Sequence, residues 1–246
     1  MTNTKSVFNW SGGKDSALCL YKVLETKTFD VQCLLTTLNS KYHRISMHGV
    51  REELLDLQAE NLNLPLLKVQ LPEMPTMEVY EQEMEKTFKE LKNRAITNSI
   101  FGDIFLEDLR KYRENRLEGL GFKAVFPLWK MDTTKLVHEF IDLGFKSIIV
   151  CVNEKYLDKS FAGRIIDKEL VKDLPANVDP AGENGEYHSF VFDGPIYKEP
   201  IPIEIGETVY RSYATPKDSS TSSYNCNNSD AKPAESGFWY TDLVRK

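Results

Sequence analysis

Ser11-Gly12-Gly13-Lys14-Asp15-Ser16 decides the reading of this chain. It follows the apolar run Val7-Phe8-Asn9-Trp10 and precedes a stretch, 16–25, whose Ala17, Leu18, Leu20, Tyr21 and Leu24 can line one helical face. Two glycines between a strand and a helix let the backbone approach an anion closely. The helix start adds unpaired amides and the positive end of its dipole. Ser11 and Ser16 offer hydroxyls and Lys14 a mobile cation, while Asp15 could hold Mg2+ directly or through water. Gly-Gly-Lys alone would also suit an ordinary turn with a helix cap, but the full hexapeptide in this setting points to a phosphate loop. It matches neither GxxxxGK[ST] nor GxGxxG, which counts against a Walker-type NTPase or a dinucleotide enzyme.

Outward from the loop, β-rich runs alternate with helical ones. Strands are expected over 31–38, 66–71, 99–104, 124–128 and 147–152, with helices over 50–61, 77–92, 106–120 and 133–143, the last stopped by Gly144. With the first strand this makes six, implying an α/β fold with a doubly wound, mostly parallel sheet covered on both faces. After residue 152 the rhythm changes to a helix near 162–174 and β-rich runs at 189–192 and 201–211. The expected division is therefore an ATP-binding domain over 1–152 and a smaller α+β region over 153–246. Within the latter, residues 214–236 are rich in Ser, Asn, Lys, Asp and Pro and read as a flexible insertion. Phe238-Trp239-Tyr240 beyond it should dock back on the body.

The 246 residues carry 41% hydrophobic and 28% charged residues and a net charge of −6. No apolar run approaches the roughly 20 residues that span a bilayer. The acidic balance argues against an extended nucleic-acid surface, because phosphate binding needs concentrated Lys and Arg. Residues 1–5 lead into Val7 without the apolar core of a signal peptide, so a cytoplasmic location is expected. Cys19, Cys33, Cys151 and Cys226 are too scattered for a zinc site or disulfide framework and read as reduced thiols, the first three in the core. The chain is compatible with a homodimer.

A second constellation, Gly182-Glu183-Asn184-Gly185-Glu186-Tyr187-His188-Ser189, concentrates two carboxylates, an imidazole, an amide and a hydroxyl before an apolar strand. Glu183, Glu186 and His188 could position an amine or accept its proton, and Asn184, Gly185 and Ser189 could bind a polar substrate.

The hexapeptide SGGKDS resembles the PP-loop of the ATP pyrophosphatases, which include GMP synthetase, asparagine synthetase and tRNA-modifying ligases. The resemblance implies the adenine nucleotide alpha hydrolase-like fold of the HUP type, with ATP on Ser11, Gly12, Gly13, Lys14, Asp15 and Ser16. It also implies that the fourth strand lies beside the first, where strand order reverses, so that Asp103 faces the nucleotide or its Mg2+. Asp15 and Asp103 are then the candidate metal ligands.

FNWSGGKDSALCLY, MHGV, FGDIFLEDLRKYRENRLEGLGFKAVFPLW, SFAGR and VDPAGENGEYHSFVFDGPI together are similar to the diphthine-ammonia ligase family. The versions at FGDIFLEDLRKYRENR and GENGEYHSF look most like a branch often found in bacteria, whose members often carry Cys where this chain has Ala181. Eukaryotic and archaeal members amidate the carboxylate of diphthine, a modified histidine on an elongation factor, using ATP and ammonium. The resemblance adds His48 and Arg164 to the candidate substrate contacts and puts the GENGE segment on the substrate side. It implies a two-step ligation, in which Lys14 and Asp15 support adenylation of a carboxylate and Glu183, Glu186 and His188 support its amidation by ammonia. Alternatives are a PP-loop enzyme acting on another metabolite or on RNA, and a nucleotide sensor without turnover. The scattered cysteines count against a thiolase.

Overall fold

In the computed structural model, which describes residues 3–45, 48–214 and 235–246, neighbouring side chains of the first strand enter different cores. β1 (Thr4–Asn9) sends Phe8 to one face and Val7 to the other, as the two-residue period of a strand requires. β2 (Phe29–Asn39) repeats the division, with Leu34 and Leu38 on the Phe8 side and Cys33 and Leu35 on the Val7 side. Burial of both faces is why these strands read as nearly continuous apolar runs.

A two-residue strand, β3 (Arg44–Ile45), folds back antiparallel on the end of β2. The parallel strands then run β4 (Leu66–Leu71), β2, β1, β5 (Asn98–Ile100), β6 (Lys123–Val125) across the sheet. Strand order reverses at β1, so the expected adjacency of the first strand and the one leading to Asp103 holds. α1 (Lys14–Thr26), α2 (Glu52–Leu62) and α5 (Thr133–Asp142) cover the Phe8 face through Ala17, Leu20, Leu54, Leu55 and Phe140. α3 (Met77–Asn93) and α4 (Glu107–Leu120) cover the other through Phe88, Leu91 and Leu117. Local chemistry sets the ends: Thr76 and Asp132 accept the Val79 and Lys135 amides as N-caps, and Gly121 and Gly144 take the left-handed backbone that stops α4 and α5.

The run expected as a sixth parallel strand has a different role. β7 (Lys146–Asn153) pairs antiparallel with β8 (Tyr187–Asp193) on one side and β10 (Glu235–Arg245) on the other, and β9 (Ile203–Ala214) completes a second sheet beyond β10. Ser147 through Val152 are all buried, and a strand buried on both faces carries no mark of its partners' direction. The helix expected over 162–174 shrinks to α6 (Lys168–Asp173), capped by Asp167. Residues 163–166 lie along β7 instead, through Gly163 N to Ile149 O (2.8 Å), Ile149 N to Arg164 O (2.9 Å) and Ile166 N to Ser147 O (2.8 Å).

Phe238, Trp239 and Tyr240 dock back as expected, opposite Asn153, Val152 and Cys151. Most of the expected insertion at 214–236, with Cys226, lies outside the described residues. Cys19, Cys33 and Cys151 are free and buried. No helix among the described residues is long and apolar enough to cross a membrane.

Phe190 of β8 is fully buried in the core that the second sheet shares with α1 and α2. Phe190→Ala should lower stability by about 3–5 kcal/mol in urea unfolding. A loss under about 1 kcal/mol would mean that the second sheet is not packed into that core.

Candidate functional site

Gly13 occupies the N-cap of α1 in an extended conformation and makes no side-chain cap, so no side chain of its own claims the first-turn amides. Around it Ser11 and Ser16 bring their hydroxyl oxygens to 3.0 Å, Ser11 Oγ accepts the Gly13 amide at 3.3 Å, and Ser16 Oγ donates to Gly13 O at 3.0 Å. The result is a small polar cup at the carboxyl end of β1.

The second sheet holds this cup in place. Gly12 O accepts from Val191 N (2.9 Å) and from Gln58 Nε2 (3.0 Å), and the same Gln58 nitrogen reaches Val191 O at 2.7 Å. Trp10 Nε1 donates to Gln58 Oε1 at 2.8 Å, and the Lys14 amide to Ser189 Oγ at 3.2 Å. Gly12 has φ +75°, and a Cβ there would lie 2.7 Å from Gln58 Oε1, so glycine is required twice over. Asn9 supplies a second tie, donating to Ser99 Oγ (2.8 Å) and Ile100 O (2.9 Å) and fixing the end of β1 to β5. Neither Gln58 nor Asn9 was among the sequence candidates. Gln58 did leave a signal, being a polar residue on the buried stripe Leu54, Leu55, Gln58, Ala59 of α2.

Four charges meet above the cup. Lys14 is buried, with Nζ 2.6 Å from Asp15 Oδ2 and bonded to Ala181 O. Burial alone would lower its pKa, but Asp15, Tyr187 and Glu183 hold it above the ordinary lysine value. Burial also raises Asp103, against the pull of Arg113 and with the push of Asp15. Asp103 Oδ2 lies 3.0 Å from Arg113 Nη1, yet it is buried without an aligned hydrogen bond. Glu183 accepts the Ile104 amide at 3.4 Å, and burial first and Asp15 second push its pKa up to about 7.

Across the cleft, Glu186 is fully buried and turned into its own loop, where its two oxygens accept Asp179 N (3.0 Å), Asn184 N (2.9 Å) and Asn184 Nδ2 (3.0 Å). It shapes the loop that presents Glu183. His188 stacks on His48 with ring centres 4.5 Å apart. Burial, then Lys14, lowers His188 to about 4, and burial, then His188, takes His48 well below the usual histidine value, so both rings are neutral at pH 7. His48 bonds to the Ser189 backbone while its Nδ1 is buried and unpaired.

One cleft of about 900 Å³ takes in Ser11, Gly13, Lys14, Asp15, Ser16, His48, Asp103, Glu183, Asn184, Gly185, His188 and Ser189. Gly12 supports it from behind. Arg164 is not in its wall; it pairs with Asp173 at 2.7 Å and lies over the Phe161 ring. Among the described residues no three His, Cys, Asp or Glu groups converge closely enough to hold a metal by themselves. The orphaned Asp103 oxygen and the raised carboxyl pKa values do fit a cation completed by phosphate oxygens and water.

Two family models match the chain: the diphthamide synthase N-terminal domain over residues 4–124 and the diphthamide synthase C-terminal domain over 132–216. Relatives include the diphthine–ammonia ligases of Danio rerio (26% identical, 82% of this chain and 87% of that protein) and Homo sapiens (27%, 70% and 68%). The Schizosaccharomyces pombe enzyme is 28% identical over 67% of this chain, but the chain spans under a third (30%) of that longer protein. A solved structure, the U34-tRNA thiolase NcsA from Methanococcus maripaludis with its 4Fe-4S cluster, is 17% identical over 58% of each chain, with a TM-score of 0.37.

Glu183 and His188 should leave opposite marks on stability. With His188 at about 4 in the folded state, an unfolded histidine takes up protons first, so its effect weakens the fold as pH falls from about 6.5 toward 4. With Glu183 at about 7, the folded chain takes up the proton first, so its stabilising effect is present at low pH and lost as pH rises from about 4.5 through 7. In nucleotide-free protein, Glu183→Gln should therefore lose more stability than wild type between pH 7 and pH 5, and His188→Gln less, each by about 2 kcal/mol of unfolding free energy in urea titrations. Parallel pH profiles for all three proteins would contradict these environments.

Proposed function

Because the chain belongs to the diphthamide synthase family, both of whose domain models it matches, we propose that it is an ATP-dependent ligase that adenylates a carboxylate and then amidates it with ammonia. The observation that carries this reading is the single cleft in which the start of α1, with a glycine as its N-cap and Lys14 beside it, faces the Glu183 to His188 loop. The acceptor is a carboxylate; diphthine is the one that the relatives' name carries. In this reading residues 1–152 hold ATP, and 153–246 supply the opposite wall. Buried free thiols are in keeping with a reducing cytoplasm.

The α1 amides, Ser11, Ser16 and Lys14 grip the β and γ phosphates, leaving the α-phosphorus open toward the far wall. A carboxylate oxygen attacks that phosphorus, the bond to the β-phosphate oxygen breaks, and pyrophosphate leaves with its charge neutralised by Lys14. Asp15 and Asp103 would hold Mg2+, which when bound supplies further neutralisation of the phosphate charge. Ammonium first gives up one proton; ammonia then attacks the acyl carbon, AMP leaves with the bonding electrons, and the nitrogen sheds a second proton. Glu183, with its pKa near 7, is suited to accept a proton at neutral pH. The neutral His48 and His188 rings offer lone pairs to N–H donors.

Purified protein given ATP, ammonium and candidate carboxylates, including a diphthine-bearing elongation factor, should form AMP, pyrophosphate and amide in equal amounts. Formation of ADP and phosphate would place cleavage at the wrong bond and end the proposal. Lys14→Ala should weaken ATP binding by about 30-fold or more in calorimetry, since a buried charged contact is lost; unchanged affinity would remove the loop from the site. Glu186→Gln should leave ATP affinity within about threefold while slowing amide formation at least about tenfold, because a neutral amide cannot accept all three N–H bonds that shape the Glu183 loop. Loss of ATP affinity without that slowing would place the loop on the nucleotide.

A further inference from the structure

The cleft does not end at the phosphates. Past Asp103 it continues between α3 and α4, over Tyr80, Met84, Phe88, Leu117 and Leu120. Phe88 and Leu117 are buried there, and the half-buried Tyr80, Met84 and Leu120 pack against the core beneath them. Arg116 reaches across from α4 to Glu81 on α3 at 3.1 Å, and Tyr112 donates to the same Glu81 at 3.3 Å, so the two helices are tied over an apolar floor. This lobe lies beyond the phosphate cup and opens onto it beside Asp103 and Glu183, whose carboxylate accepts the Ile104 amide.

Arg113 stands where the lobe opens toward the phosphates. Its guanidinium lies over the Phe101 ring at 4.3 Å and beside Asp103, but the close Asp103 oxygen makes no aligned hydrogen bond. A planar five-donor group held over an aromatic ring, with a misaligned partner, is suited to receive a second carboxylate. We propose that the α3–α4 lobe is the acceptor site, taking a small organic acid whose apolar body rests on Met84, Phe88 and Leu117 and whose carboxylate Arg113 turns toward the α-phosphate. The proposal rests on the ligase reading and names the substrate class it lacks. Two points fix the occupant. The lobe is continuous with the nucleotide cleft, and their joint volume of about 900 Å³ is at the upper end of what single-ligand sites enclose. The lining is apolar with the Arg113 cation at its mouth, which a small acid with one apolar body and one carboxylate complements.

The probe is 8-anilino-1-naphthalenesulfonate, an apolar aromatic body with one anionic end, titrated by fluorescence into protein saturated with α,β-methylene-ATP. One probe should bind per chain with the nucleotide in place. Met84→Trp and Leu120→Trp, which fill the lobe from opposite helices, should each weaken it at least tenfold, and Arg113→Gln about fivefold, while nucleotide affinity in the two tryptophan variants stays within threefold. Displacement of the probe by nucleotide, or equal probe binding in both tryptophan variants and wild type, would overturn the assignment. So would an acceptor, such as a protein-borne carboxylate, that Met84→Trp amidates at the wild-type rate. Failure of wild-type protein to bind the nucleotide at all would instead overturn the ligase reading, so the two failures are separable.

Discussion

Everything at the phosphate loop depends on where the Gly12 carbonyl points. It accepts from Val191 of the second sheet and from Gln58 of α2, and Gln58 is itself held by Trp10 and Val191. The left-handed backbone that this demands at Gly12 turns the loop over the start of α1, and the Ser189 hydroxyl then takes the Lys14 amide. A buried network of this kind stabilises only if every member is satisfied, and here the shared Gln58 satisfies three groups at once. The loop is thereby preorganised rather than left to be shaped by its ligand, which is what electrostatic catalysis requires.

The same constraint sets the charge balance. Closing the second sheet over the loop buries Lys14 and brings Asp15, Asp103 and Glu183 into mutual influence. Three carboxylates around one lysine would repel a polyphosphate in water-poor surroundings unless protons or a cation offset them. Burial first, with a further push from Asp15, raises Asp103 and Glu183, so a proton or a cation is favoured beside them. The far wall answers differently, with two stacked imidazoles kept neutral by burial. In the proposed function, one side of the cleft takes anions with a counter-cation and the other a neutral amine.

The strand-to-helix turn at 11–16 was legible in the sequence because its pattern is local: six consecutive residues carry the glycines, hydroxyls and lysine. The parallel sheet was legible because two-sided burial shows as apolar runs spaced by helical ones. β7 was not, since Ser147 to Val152 would look the same in either sheet, and its true partners come from β8 and from β10, more than eighty residues away. The GENGE segment read as a site, but its sequence could not show that Glu186 turns inward to hold the loop while Glu183 faces the cleft. The stacking of His48 on His188, and the clamp from Gln58, join residues over 130 positions apart, which no local pattern encodes.

In the proposed function the Gly12 bend and the start of α1 hold the polyphosphate with its innermost phosphorus facing the Glu183 to His188 wall. A crystal structure with α,β-methylene-ATP tests it most directly. The β and γ phosphates should lie on the 12–16 loop with Lys14 in contact, and the α-phosphorus should be unobstructed toward Glu183. A nucleotide bound with its terminal phosphates elsewhere, or with the α-phosphorus shielded by the loop, would contradict it.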